Sequence, residues 1–395
     1  VSAVGLPIAG VVAVARAGGL DRLAGRVHPV FAMVFTILVY LSIGPCLAIP
    51  RTASTSFQML VPLIGGGTGL QLAYSVLFFA AAFLVALRPE KLTDWLGRIL
   101  CPCLIVLIVV LFAGCLIHPL AAHYGTPSAE YAALPAVQGI LYGYQTMDAL
   151  AALPFGILVL QSVVDKGYTE SGKKFRIMSG SSILACVLLL AVYMGLAYLG
   201  ATVSAQYTSE IGRAQLVMAI VEALMGKTGM IIFGIVVGLA CVTTAVALTS
   251  SAAAYFAKLC RGKVPYKVFV IVICVFSAVV SNLGLDRIVA IAAPVLDVVY
   301  PPTLVLIFIS LVVPRLPDRI SRGAVIGALL MSVLCTLDGY GVPLTFLHKL
   351  PLFELGFAWV LPSVLFGAVA AVLPHRKEKA GKAEPACAGA NGKQG

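Results

Sequence analysis

Polar positions along this chain are sparse and bunched, and between the bunches the sequence runs apolar for long stretches. Eleven such runs can be marked, at 2–16, 28–49, 68–87, 97–117, 133–163, 177–203, 228–257, 264–282, 286–313, 323–338 and 355–373. About 20 apolar residues in a helix cross the hydrocarbon core of a bilayer. The runs are continuous rather than alternating, so they predict helices and not the strands of a closed barrel, the other structure that satisfies its own backbone polar groups in lipid. The pattern therefore predicts an all-α polytopic membrane protein occupying 1–373, with eleven visible spans. Segment 204–227 reads as a short amphipathic helix outside the membrane, and the polar, basic tail over 374–395 reads as disordered.

Composition agrees. Of 395 residues, 61% are hydrophobic and 11% charged, against roughly 25% charged in soluble domains. The distribution of charge adds orientation. Of the 27 Lys and Arg, 22 fall in one set of alternating loops and in the tail, and only Arg51, Arg213, Lys227, Arg287 and Lys349 fall in the other. Short cytoplasmic loops are enriched in Lys and Arg, so the first set and the C-terminus are expected inside. The net charge of +11 is then a topology signal, with basic faces against anionic lipid and no nucleic acid as partner. Eleven spans with the C-terminus inside put Val1 outside, yet Val1 opens directly in apolar sequence. One further helix is expected before it, giving twelve spans.

Several chemistries drop out. The cysteines are scattered, and Cys101 and Cys103 do not share a helix face, so no metal site is expected. Gly167 to Lys173 resembles a phosphate-binding loop, but Lys174 stands where that loop needs a hydroxyl for magnesium, and no strand precedes it. No hydrolytic motif or paired carboxylates can be assembled, so no catalytic residues are assigned and the chain is not expected to be an enzyme.

What remains is polar chemistry inside the apolar runs. The run 133–163 is too long for one straight crossing and carries Pro135, Gly139, Gly143, Pro154 and Gly156 around Gln145, Thr146 and Asp148. Proline removes a donor and glycine costs about 1 kcal/mol in a helix interior, so a broken helix is expected, with exposed half-helix ends able to hold a cation and a substrate. A kinked structural helix with Asp148 near its mouth is the alternative. In 238–256, Thr243, Thr244, Thr249, Ser250 and Ser251 offer hard oxygen ligands suited to sodium, beside a packing notch at Gly234 and Gly238. Pro45 and Pro50 are expected to disrupt the end of the second run, leaving Arg51 in an outer loop as a candidate gate or an interface anchor. Asp297, before Tyr300, Pro301 and Pro302, is expected to mark a kink and to hydrogen-bond a tyrosine.

The stretches IGPCLAIPRTASTSF, GYQTMDALAALPFG, TTAVALTSSAAAYF, LDVVYPPTLVLIF and LTDWLGRILCPCL together resemble the bacterial branched-chain amino acid:cation symporters of the amino acid–polyamine–organocation superfamily. The resemblance covers essentially the whole chain. It implies the leucine-transporter-type fold, two inverted five-helix repeats with broken first and sixth helices. Run 133–163 would then be the sixth helix, with its repeat partner lying before Val1, where the family carries a Gly/Asn/Pro-rich helix. By position, the resemblance implies that Gly143, Tyr144, Gln145, Thr146, Met147 and Asp148 contact substrate, with Tyr144, Met147 and Phe155 as apolar walls, and that Thr243 and Thr244 bind the cation. It implies uptake of leucine, isoleucine and valine across the bacterial inner membrane by alternating access, coupled to Na+ or H+, with no other cofactor. A symporter for another neutral amino acid, or a channel, is the rival reading.

Overall fold

The computed structural model describes residues 2–372 except 88, 121–123, 128–130, 133, 145, 169, 208–210 and 354. The tail over 374–395 and Gln145, both singled out above, lie outside the described residues. Among the described residues the regular structure is all helical. In order the helices are α1 (Ser2–Ala17), α2 (Leu20–Gly25), α3 (Pro29–Leu41), α4 (Ala48–Ile64), α5 (Thr68–Ala86), α6 (Pro89–Ile117), α7 (Pro135–Tyr144), α8 (Asp148–Asp165), α9 (Ser171–Thr202), α10 (Arg213–Leu259), α11 (Tyr266–Ser281), α12 (Leu285–Val312), α13 (Asp318–Gly339) and α14 (Val360–Val372). Among the described residues six helical stretches are long and apolar enough to cross a bilayer, or seven if the bent pair α7–α8 counts as one. Four shorter apolar helices, Ser2–Ala17, Cys101–Ile117, Tyr266–Ser281 and Val360–Val372, sit in the remaining expected runs.

Four expectations drawn from the sequence pattern change in the structure. The second run does not end near 49. Ser42–Cys46 forms a wide π turn in which Gly44 leaves helical geometry (φ −93°, ψ −124°), and the helix resumes to Ile64. Pro50 falls in the first turn of α4, where a missing N–H costs little, so it restarts the helix instead of stopping it. The amphipathic segment and the seventh run share one helical element, α10, broken only at Gly226, whose φ of 66° glycine adopts without steric penalty. The run 286–313 stays one continuous helix, α12, through Pro294, Pro301 and Pro302. The last expected run is helical only from Val360.

Helices approach closely where side chains are small. Adding a Cβ at Gly156 of α8 would bring it within 3.3 Å of Val14 in α1, and at Gly10 of α1 within 3.5 Å of Ala152 in α8. The expected notch is real: a Cβ at Gly234 would meet Leu60 at 3.1 Å and at Gly238 the Ser56 hydroxyl at 3.3 Å, so α10 lies tightly on α4. A second notch, not anticipated from sequence, joins α13 to α14, where a Cβ at Gly327 would stand 2.6 Å from the Pro362 carbonyl. Such contacts let backbones gain van der Waals packing in lipid, where hydrophobic burial gives no drive.

Two core clusters divide the polar stretches between them. One joins α1, α2, α3, α8, α12 and α13 and contains Tyr144 and Met147. The other joins α3, α4, α5, α10 and α11, with Ala245, Val246 and Leu248 at its centre. Outside these clusters, residues such as Leu77, Leu84, Val279 and Val364 present large apolar side chains outward, the surface a bilayer covers.

Candidate functional site

The break in 133–163 is a sharp one. Helix α7 ends at Tyr144, α8 begins at Asp148, and the two axes differ by 46°. Met147 makes the turn in the left-handed region (φ 63°, ψ 4°), which costs a residue with a Cβ about 1–2 kcal/mol. Its own N–H bonds the Tyr144 carbonyl at 3.1 Å, and its carbonyl accepts the Ala151 N–H at 2.9 Å, so it closes one helix and opens the next. The Thr146 hydroxyl donates to the Gly143 carbonyl at 2.8 Å. Pro154 and Gly156, also in the run, lie inside continuous α8. The last carbonyls of α7 and the first N–H groups of α8 thus face one small region, each end carrying about half an elementary charge.

Asp148 occupies the first turn of α8, where the helix dipole favours an anion. Its Oδ2 accepts a hydrogen bond from the Tyr193 hydroxyl of α9. Arg51 does not sit in an outer loop. It lies half-buried in the first turn of α4 and interacts electrostatically with Asp148, with Tyr193 and with Arg213 at the start of α10. The structure therefore joins Thr146, Met147 and Asp148 to Arg51, which sequence placed apart, and to Tyr193, which it missed. Tyr193 was findable in principle: a tyrosine in the middle of the apolar run 177–203 has a hydroxyl that needs a partner.

Tyr144 stacks on Tyr300 of α12, with ring centroids 4.6 Å apart and planes 21° from parallel. Gly143 is where α7 meets α1: a Cβ there would collide with the Ser2 side chain, which donates to the Ile140 carbonyl at 2.8 Å. Of the three apolar walls expected, Tyr144 and Met147 belong to the first core cluster, whereas Phe155 packs against the second. The Asp297–tyrosine hydrogen bond is not formed. Among the described residues Asp297 has no hydrogen-bond or ion-pair partner, and it lines a cavity instead.

Thr243 and Thr244 stand on α10, next in sequence to Ala245 and Val246 of the second cluster, with Thr243 half-buried and Thr244 exposed. Both hydroxyls donate to the Ala240 carbonyl, at 2.8 and 2.9 Å. Back-bonding of this kind is common for hydroxyls in helices, but it leaves the oxygen lone pairs free to accept. No bond joins these residues to the break among the described residues, and no group of three His, Cys, Asp or Glu side chains is placed to hold a metal ion there.

Residues 1–377 match the family model described as branched-chain amino acid transport protein. The chain is 35% identical over 382 residues to the branched-chain amino acid permease BraB of Bacillus subtilis, covering 94% of this chain and 85% of that protein. It is 37% identical over 385 residues to the branched-chain amino acid transport system 2 carrier protein of Pseudomonas aeruginosa, covering 94% and 86%. It is 32% identical over 382 residues to the branched-chain amino acid permease BrnQ of Escherichia coli, covering 94% and 86%.

Proposed function

The chain belongs to the branched-chain amino acid transport protein family, a family of transporters and not of enzymes, and on that premise we propose that it is a secondary active symporter. Its substrates are leucine, isoleucine and valine, and it takes them up with Na+ or H+ across the bacterial inner membrane, its C-terminus in the cytoplasm. The observation that carries this reading is the break between α7 and α8, where two opposed helix ends meet beside Asp148. The carbonyl end of α7 and Asp148 suit the substrate ammonium or a cation. The N–H end of α8, with Arg51 acting electrostatically on its first residue, suits the substrate carboxylate. Apolar side chains that differ by one methylene are discriminated by only about 1–3 kcal/mol, in keeping with three related substrates. Thr243 and Thr244, with donors spent and lone pairs free, supply oxygens to the coupling cation.

We read the helix order as the leucine-transporter type of inverted repeat. Counting α3–α4 and α7–α8 as single spans, helices five apart in the order pack on one another: α1 on α9, α4 on α10 and α5 on α11. A twofold axis between equivalent helices produces such self-pairing. Transport then proceeds by alternating access around the fixed break, with ligand binding shifting the balance between outward and inward states by its differential affinity for them.

Leucine uptake into proteoliposomes under an imposed sodium gradient, then a proton gradient, tests the coupling. Preloading with unlabelled leucine should accelerate entry of label; absence of this counterflow, with conductance in its place, would make the chain a channel. Uptake of alanine or proline that leucine does not compete would assign a different neutral substrate.

A further inference from the structure

Asp297 faces an open-mouthed cavity of about 590 Å³ walled by α7, α12, α13 and the turn that precedes α14. That size falls in the range of small-molecule sites, roughly 300–1,000 Å³. Among the described residues Asp297 is the only charged side chain lining it, and it has neither hydrogen-bond nor ion-pair partner. The residue is exposed, so its unpaired carboxylate is open to a cation that enters the cavity. The other walls combine aromatic rings, Tyr142, Tyr144, Phe353 and Trp359, with the polar side chains of Gln138, Ser332 and Thr336. The Trp359 indole N–H is buried and has no acceptor among the described residues.

A bare metal ion needs several oxygens converging at short range. This cavity offers one carboxylate and wide aromatic walls, a combination that favours an ammonium ion through charge pairing and cation–π contact. The volume leaves room for a hydrocarbon body behind the ammonium, against Leu141, Ala293 and Pro301. We propose that the Asp297 cavity is a binding site for a primary ammonium ion carried on a small hydrocarbon body, distinct from the break at Met147. The ammonium comes either from an amino acid or from a simple amine without a carboxylate, and both share the same recognition chemistry. The Tyr144–Tyr300 stack lies between the two places, since Tyr144 lines the cavity and also ends α7.

The sequence has only two tryptophans, Trp95 and Trp359, so Trp95→Phe in the full-length protein leaves a single reporter in the cavity wall. Titration with isoamylamine should change Trp359 emission saturably, and 4-methylpentanoate, which lacks the ammonium, should not. A matching response to leucine assigns amino acids as ligands; a response to the amine alone assigns simple amines. Asp297→Asn should raise the half-saturating concentration at least tenfold, and Asp297→Glu should restore it. Ala293→Phe, which fills the cavity without touching the carboxylate, should abolish the response. Asp148→Asn should leave it intact while leucine uptake falls, which separates this site from the transport site. No saturable response to either amine or leucine, a response indifferent to both Asp297→Asn and Ala293→Phe, one lost in Asp148→Asn, or one produced equally by sodium alone would overturn the proposal.

Discussion

The Tyr193 hydroxyl donates to Asp148 Oδ2, tying the middle of α9 to the first turn of α8. The bond gives the carboxylate a fixed orientation at the break. A hydrogen bond to a charged group contributes about 1.5–3 kcal/mol. Tyr193→Phe should therefore lower the apparent leucine affinity about tenfold or more while the protein still inserts and folds. Equilibrium binding of labelled leucine to the purified variant measures this, and unchanged affinity would remove Asp148 orientation from the mechanism.

Arg51 and Asp148 come from helices about a hundred positions apart in sequence, yet they interact. Residues in one charge network show coupling of about 0.5–3 kcal/mol in double-mutant cycles. Arg51→Gln and Asp148→Asn should each weaken leucine binding, and the double variant should lose less than the two losses combined. Strict additivity would mean that the two side chains act independently.

Thr243→Ala with Thr244→Ala should raise the half-saturating sodium concentration for uptake about tenfold, with leucine affinity at saturating sodium nearly preserved. The two hydroxyls bond only their own helix in the structure, so their removal should change melting temperature little. A large loss of stability with no change in sodium dependence would make them purely structural.

Gly143→Ala would drive a methyl group into Ser2 and to 3.3 Å from the Ala3 nitrogen. Overpacking of this kind costs about 1–3 kcal/mol, and here it also pushes the end of α7 off α1. Both melting temperature and uptake should fall. Gly139→Ala, one turn earlier and with nothing within 4 Å of its added Cβ, should leave both intact.

Gly327→Val should separate α13 from α14, because the Cβ position lies 2.6 Å from the Pro362 carbonyl. The Ser363 hydroxyl bond to the Ala324 carbonyl, 2.9 Å long, crosses the same seam and should be lost with it. The expected result is a melting temperature several degrees lower, measured against Gly200→Ala, whose added Cβ meets nothing within 4 Å.

The apolar runs located the helices because hydrocarbon forces each spanning segment to satisfy its own backbone. That constraint is local, so it can be read one run at a time. The same logic exposed the break: Gly143, Thr146 and Asp148 are poor company for an uninterrupted apolar helix, and the structure interrupts it at Met147. It failed where a breaker can serve two ends. Pro50 looked like a stop and is a start; Pro154 looked like a breaker and lies inside α8.

The sequence by itself therefore determined the helical class, the asymmetry of Lys and Arg between alternate loops, and the place where one helix had to come apart. Only the tertiary structure decided that Tyr193 holds Asp148, that Arg51 acts on the same carboxylate, and that Asp297 lines a cavity without hydrogen-bonding a tyrosine. The physical reason is that these relationships depend on which helix faces meet. In this chain, small residues such as Gly10, Gly156 and Gly234 set those meetings by the closeness of approach they allow, a property of helix pairs that no single apolar run records.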